Sequence, residues 1–443
     1  MVMSRSEGGV PFTEGQCKRL CVEEDQGYEQ MDIVEELIIS LPTELVDKIV
    51  KKVPFEDLLK WRPVCRTWNR LIMSGAHGTS QFTHNIPVVY RFDRSTFISL
   101  AAYNASAGTW RLMDMSFLQP ILSFERRTVV EYVTGGRLGL LFMACTSRAH
   151  REVESFIIVC NPVAQEYKEL KVPDGRCRGY IWVISDEREE RQHYNILVSY
   201  KDERIHHVYD STSSAWKRVT GPPVDPCCIF SSVSINGCLY FLRKPRSFEC
   251  HRYPTIGAYE PSSDTWSEMH GLPIHVGPDN PRLVETAGQL LYVARTFTLD
   301  KKIGHGRINW CFYKMRSSVS TSAVTRSKHA QWKLTRQMPI DVYSKLNLEL
   351  MFAPIYREIR CLGEGDNIFF VRFECACIGE VRDGNRVMPS SNEGVRVSVV
   401  VHDFQRDTWT WLPTLTDPDA RFWYWEPNSV RMISFRPSLA MIN

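Results

Sequence analysis

His206 and His207 stand side by side, and fourteen cysteines are spread through the 443 residues, so metal and redox chemistry are the first possibilities to weigh. Neighbours on an extended strand point to opposite faces, which would send the two imidazoles apart. A copper centre would need both histidines to converge with tyrosines, and a zinc centre needs four convergent ligands. The close cysteine spacings are Cys17 with Cys21, Cys227 with Cys228, and Cys375 with Cys377. None makes a paired C-x-x-C set with an accompanying H-x-x-x-H. Cys160, Cys238 and Cys311 lie in apolar runs and read as small buried side chains. Glycoside hydrolysis would require paired carboxylates across a sugar site, or a tyrosine nucleophile with its partner, and no such set is marked out. No metal and no cofactor is therefore expected, and the chain is not read as an enzyme. What remains is recognition. Phe422-Trp423-Tyr424-Trp425 could anchor a partner, but on a strand half of these rings would face a neighbouring sheet, which favours packing and ring closure. Arg176-Cys177-Arg178 reads as a solvated loop.

The elements that carry recognition are easier to see. Between Ser40 and Ser74 the chain reads as three short amphipathic helices. The first places Leu41, Leu45, Val46, Ile49, Val50 and Val53 on one face, opposite Glu44, Asp47, Lys48 and Lys51. Pro42 suits the first helical turn and Ser40 the cap. Val53-Pro54 ends the helix, because the residue before proline is pushed out of the helical region. Phe55, Leu58 and Leu59 mark the second helix. After Arg62-Pro63, the residues Val64, Cys65, Trp68, Leu71 and Ile72 mark the third. A unit of about 35 residues buries too little surface to stand alone, so part of this apolar face must dock on something else.

With Leu41-Pro42, Leu45, Ile49, Val53-Pro54, Leu58-Leu59, Arg62, Val64-Cys65-Arg66, Trp68 and Leu71 in register, the segment resembles an F-box. That resemblance implies a grip on a Skp-type adaptor, which bridges to a cullin–RING ubiquitin ligase. The adaptor-binding residues it implies are Leu41, Pro42, Leu45, Ile49, Val53, Pro54, Leu58, Leu59, Val64, Cys65, Trp68 and Leu71.

Charge gives no reason to expect nucleic acid or a membrane as partner: 54 Lys+Arg face 51 Asp+Glu, a net of +3. The longest apolar run, near Leu138 to Cys145, is too short to span a bilayer, and no secretory leader pattern opens the chain. A cytoplasmic or nuclear location is expected, with the cysteines reduced. The expected organisation is a polar, disordered segment over 1–30, the helical module over 31–75, a small-residue linker over 76–84 and a β domain over 85–443.

Within the β domain one pattern recurs. A strand ends in Asn, Asp or Glu, and an aromatic follows six positions later: Asn104 to Trp110, Asn161 to Tyr167, Asp210 to Trp216, Glu260 to Trp266, and Asp403 to Trp409. A sixth copy begins at Trp310-Cys311-Phe312-Tyr313 and reaches Trp332 after an insert. Each copy reads as a hairpin whose polar side chain folds onto the turn, while the aromatic packs on the sheet. Glycines precede several of the upstream strands, at Gly136, Gly237, Gly288 and Gly365. Glycine, strand, turn, strand and aromatic at a period of about 50 residues describe a four-stranded propeller blade.

The repeats resemble kelch units, and the whole chain resembles a plant-type F-box/kelch-repeat protein. The fold expected is mainly β: a six-bladed kelch-type propeller, with seven blades as the alternative, preceded by the three-helix F-box module. Val430 to Phe435 is the candidate strand for closing the ring. Ser317–His329 and Glu380–Gly394 are expected as exposed loops. The function implied is that of a substrate-recognition subunit of an SCF-type ligase, whose propeller holds a target protein for ubiquitination. The alternatives are a non-ligase F-box scaffold and a propeller enzyme.

Overall fold

The computed structural model describes Leu45, Lys48 and Ile49, and then residues 86–92, 98–104, 108–122, 128–135, 139–147, 153–173, 179–185, 193–200, 205–220, 229–243, 254–269, 272–273, 281–299, 306–315, 332–347, 356–375, 381–382, 385–386, 396–415 and 430–435. The chain divides into two compact units, Met1–Gly78 and Thr79–Asn443.

The second unit is built from antiparallel meanders. One sheet holds β1 (Ile86–Phe92), β2 (Ile98–Asn104) and β3 (Thr109–Met113). The next holds β4 (Val129–Gly135), β5 (Leu141–Ser147), β6 (Glu154–Asn161) and β7 (Glu166–Lys171). It is followed by a sheet of β8 (Gly179–Ser185), β9 (Tyr194–Tyr200), β10 (Ile205–Asp210) and β11 (Ala215–Thr220). A fourth contains β12 (Ile229–Ile235), β13 (Cys238–Arg243), β14 (Thr255–Glu260) and β15 (Thr265–Met269). In the fifth are β16 (Arg282–Thr286), β17 (Gln289–Leu299), β18 (Gly306–Met315) and β19 (Trp332–Gln337), after which the chain forms helix α1 (Ile340–Asn347). The last sheet joins β20 (Tyr356–Glu364), β21 (Asn367–Cys375), β24 (Arg396–Asp403) and β25 (Thr408–Trp411); β22 (Val381–Arg382) and β23 (Asn385–Arg386) form a small hairpin between β21 and β24.

Five of these four-stranded sheets come from single stretches of chain. The first sheet is composite. Its fourth strand is β26 (Val430–Phe435), which pairs with β1 from Ile86↔Phe435 to Arg91↔Val430. The innermost strands β26, β4, β8, β12, β16 and β20 each neighbour the next, and β20 returns to β26. Serine side chains tie some of these neighbours. Ser234 Oγ accepts from Ser185 N at 3.1 Å, and Ser231 Oγ accepts from Leu283 N at 2.9 Å.

Burial follows position in the sheet. Every residue of β5 is buried, because both of its faces meet apolar neighbours; the continuous apolar run in the sequence is that strand. The outermost strands β3, β7, β11, β15, β19 and β25 are half exposed. The cores lie between sheets rather than inside one. Phe142 and Val159 of the second sheet pack with Ile196 and Tyr209 of the third. Trp310 and Phe312 of the fifth pack with Phe370 and Val400 of the last.

Two expectations need revision. The 380–394 segment was expected as loop, yet it contains the β22–β23 ladder, Val381↔Arg386 and Arg382↔Asn385. Helix α1 was not foreseen. Its apolar positions Ile340, Val342, Tyr343 and Leu346 are too few for a periodic signal to stand out beside strands. Ser317–His329 lies outside the described residues.

Candidate functional site

In the first unit, Leu45, Lys48 and Ile49 are helical and all three are exposed. Leu45 is 45% exposed and Ile49 36%. Residues four apart lie one above the other on a helix, so the two aliphatic side chains share a face. The other implied adaptor-binding residues, Leu41, Pro42, Val53, Pro54, Leu58, Leu59, Val64, Cys65, Trp68 and Leu71, lie outside the described residues.

The six repeat aromatics fall at one place in each sheet. Trp110, Tyr167, Trp216, Trp266 and Trp409 are the second residues of their outermost strands, and Trp332 is the first residue of β19. Each sits opposite the residue before the polar turn position, as in Tyr103↔Trp110, Cys160↔Tyr167, Tyr209↔Trp216, Tyr259↔Trp266 and His402↔Trp409. Trp266 stacks on Tyr259 with centroids 4.2 Å apart, and Trp409 stacks on His402 at the same separation. Trp332 pairs with Met315, and its ring lies 6.0 Å from Tyr292.

The turns before these aromatics explain the six-residue offset. Asn161 Oδ1 accepts from Val163 N and Ala164 N, at 3.0 and 3.1 Å. Asp403 Oδ1 accepts from Gln405 N and Arg406 N, at 3.0 and 2.9 Å. The residue two before the aromatic is left-handed in the five described cases: Gly108, Gln165, Ser214, Asp264 and Asp407. Only one of these is glycine, so composition gave no sign of the shared conformation. On the opposite strand pair, Asn236-Gly237 and Ala287-Gly288 have positive φ at both positions, the geometry of a two-residue hairpin turn. Gly365 has φ 63° in the β20–β21 turn. Gly136 lies outside the described residues, while Gly139, with φ 75°, stands in the β4–β5 connection. The third sheet lacks such a glycine because residues 186–193 join β8 to β9.

Indole N–H groups stitch adjacent sheets. Trp266 Nε1 donates to the Thr220 carbonyl at the end of the preceding sheet. Trp110 Nε1 donates to Pro413 O at 2.7 Å, which joins the first sheet to the last. Glu285 is buried and performs a similar task at the turns, accepting from Gly288 N at 2.6 Å and Gly365 N at 3.2 Å.

The histidines are packed into sheets. His206 and His207 are both buried on β10, and burial holds His206 well below its ordinary value, at about 4. His402 is fully buried, and burial likewise lowers its pKa, against the opposing pull of Asp407. Its Nε2 lies 2.9 Å from Asp407 Oδ1, which also accepts from Arg336 Nη1 at 3.0 Å. The Arg336 guanidinium in turn sits 4.3 Å over the Phe404 ring. Burial raises the thiols of Cys160, Cys311 and Cys361, which keeps them protonated. Among the described residues no three His, Cys, Asp or Glu side chains converge as a metal site. No helix among them is long and apolar enough to cross a membrane. Phe422–Trp425, Arg176–Arg178, Cys17, Cys21, Cys227, Cys228 and Cys377 lie outside the described residues.

Comparison with known proteins follows the same division. Residues 38–75 match the F-box domain, and residues 137–295 match the F-box associated beta propeller domain. Among similar proteins of Arabidopsis thaliana, F-box protein ETP2 is 26% identical over 222 residues, covering 46% of this chain and 54% of that one. F-box only protein 6 is 26% identical over 235 residues, 50% of this chain and 46% of its own length. A protein named as an F-box/kelch-repeat protein is 25% identical over 185 residues, 41% and 48% of the two chains. The chain thus spans about half the length of the curated relatives it matches. Among solved structures, U3-55K overlaps 74% of this chain and 78% of its own at 8% identity and a TM-score of 0.33, a level that carries no functional weight.

Proposed function

We propose that this chain, which carries an F-box domain and an F-box-associated β-propeller domain, is the substrate-recognition subunit of an SCF-type ubiquitin ligase. The observation that carries the reading is the Leu45/Ile49 face. Two aliphatic side chains at helical spacing stand exposed within the segment that matches the F-box. Burying their remaining exposed area against a Skp-type adaptor would contribute on the order of 1 kcal/mol each. We assign the same docking role to Leu41, Pro42, Val53, Pro54, Leu58, Leu59, Val64, Cys65, Trp68 and Leu71, in a three-helix module.

We read the six sheets as the blades of one ring, with β26 as the strand that closes it. The cyclic order of the innermost strands supports this reading. The repeat aromatics are then joints between blades. The propeller would hold a target protein and perform no chemistry itself. Its contribution is proximity, which raises the effective concentration of a target lysine near a charged ubiquitin carrier. The setting this implies is the cytosol or nucleus, where cullin–RING ligases work.

The test is co-purification of the full chain with adaptor and cullin. Wild type should bring down both. A Leu41→Ala/Pro42→Ala/Trp68→Ala variant should lose both while its thermal unfolding of the β unit is unchanged. Retention of cullin by the variant refutes the docking assignment. Adaptor without cullin would favour a scaffold outside a ligase, and turnover of a small substrate by residues 80–443 would favour an enzyme.

A further inference from the structure

The fifth sheet sets two like charges against each other. Lys314 on β18 and Lys333 on β19 are direct partners in the ladder, and both are exposed. Like charges placed opposite one another weaken a sheet. A lysine on an outermost strand discourages pairing with a foreign edge, which would account for Lys333. It does not account for Lys314, because β18 lies inside the sheet, between β17 and β19.

The register gives the direction of both side chains. Lys314 also stands opposite Leu291 on β17, and Leu291 belongs to the core between the fifth and last sheets. Residues paired across a ladder share a face, so Lys314 and Lys333 lie on the face toward the last sheet, outward of that core.

A β-bulge adds a third cation to this face. The ladder passes from Tyr313↔Leu334 to Phe312↔Arg336 and leaves Thr335 as an extra residue on β19. Thr335 Oγ1 donates to Phe312 O at 2.9 Å, which fixes the bulge. On a regular strand, residues three apart point to opposite faces, so the extra residue is what returns Arg336 to the side of Lys333. The contacts of Arg336 agree: they are with His402, Phe404 and Asp407 of the last sheet.

The carboxylates on the adjoining turns of the last sheet are already engaged. Asp407 Oδ1 accepts from Arg336 Nη1 at 3.0 Å and lies 2.9 Å from His402 Nε2. Asp403 Oδ1 accepts from Gln405 N and Arg406 N. Asp366 Oδ1 accepts from Gln405 Nε2 at 2.7 Å. Among the described residues neither Lys314 nor Lys333 has a hydrogen bond or ion pair.

This arrangement also selects the kind of anion. A planar guanidinium fork is the group suited to gripping two phosphoryl oxygens, and the fork of Arg336 is held by Asp407. What remains is two ammonium groups, each a point charge that can take one carboxylate. A chain net charge of only +3 gives no broad field for nucleic acid.

We propose that the Lys314–Lys333 face of the fifth sheet docks an acidic stretch of the target protein, with two Asp or Glu side chains taking the two lysines. This rests on the substrate-receptor reading. The test is a random peptide display library selected on the full chain, followed by titration of the enriched peptides with fluorescent labels. Those peptides should share two acidic residues, and their affinity should weaken as salt is raised. Affinity should fall about tenfold or more in Lys314→Gln/Lys333→Gln and be retained in Lys314→Arg/Lys333→Arg. Lys217→Gln/Arg218→Gln removes the same charge from exposed positions on β11 and should leave affinity unchanged. The urea midpoint of Lys314→Gln/Lys333→Gln should equal or exceed that of the wild type, because a repulsion is relieved, so that lost affinity is not lost folding. Enrichment of peptides without acidic residues overturns the proposal. So does affinity indifferent to the glutamine pair at 314 and 333, equal loss in the β11 variant, or loss in the arginine variant. Phosphoserine versions of the peptides that bind more tightly than the Asp/Glu versions overturn it as well. Adaptor binding is read on the same preparations. Adaptor bound while peptide affinity ignores the two lysines refutes the lysine face alone, and adaptor never bound by the wild type refutes the receptor reading.

Discussion

At the scale of the residue, His206, His207, Cys160 and Cys311 are parts of the packing rather than of a reactive site. His206 is the clearest case. Burial favours its neutral form, so its folded pKa of about 4 lies below the ordinary 6.5. Its contribution to stability is present in full above pH 6.5. It declines as the pH falls from 6.5 toward about 4, because the unfolded chain binds a proton that the folded chain refuses, for a total on the order of 3 kcal/mol. His402 acts in the same direction. The urea midpoint should therefore drop on acidification from pH 7 to 4.5, and a His206→Leu variant should show a shallower drop. The indole ties give a second prediction. Trp110→Phe keeps a ring against Tyr103 but leaves Pro413 O without its donor, and should cost about 1 kcal/mol in denaturant unfolding. The aromatics were legible in the sequence because their offset from the polar turn residue is constant. The left-handed positions two residues before them were not, since Gln165, Ser214, Asp264 and Asp407 share no side-chain chemistry that announces the conformation.

At the scale of the element, strands were legible where one face is wet, and the tight turns were legible where glycine marks them. Helix α1 was hidden because its stability comes from Arg295, Asn309 and Arg372 on three different strands, which no local window contains. Close approach between elements was equally invisible. A Cβ at Gly363 on β20 would stand 2.6 Å from Val284 Cβ and 2.8 Å from Glu285 O on β16. Backbone cannot yield as a side-chain tip can, so Gly363→Ala should destabilise by about 1–3 kcal/mol, read as a lower thermal midpoint of the β unit. The composite sheet supplies another test. Deleting 430–443 removes β26 and leaves the β1 edge unpaired. Amide exchange in β1 and β2 should then rise well above that in β9 and β13, and the chain should become prone to aggregate through the open edge. Equal protection in all four strands would show that β26 contributes nothing to closure.

At the scale of the whole molecule, the proposed function divides the work between the two units. The β unit buries its apolar surface between neighbouring sheets. In the first unit, Leu45 and Ile49 are exposed. This division was legible in the sequence, because a helical repeat of apolar residues gives way near residue 80 to strands and turns. The target was not, since a docking surface is assembled from residues far apart in sequence. The most direct measurement is a calorimetric titration of a purified Skp-type adaptor into the full chain and into a Leu45→Glu/Ile49→Glu variant. The account predicts tight binding by the wild type and loss of about a hundredfold or more in affinity for the variant, with the thermal midpoint of the β unit unchanged. Equal affinity in the two chains, or no heat of binding with either, would contradict it.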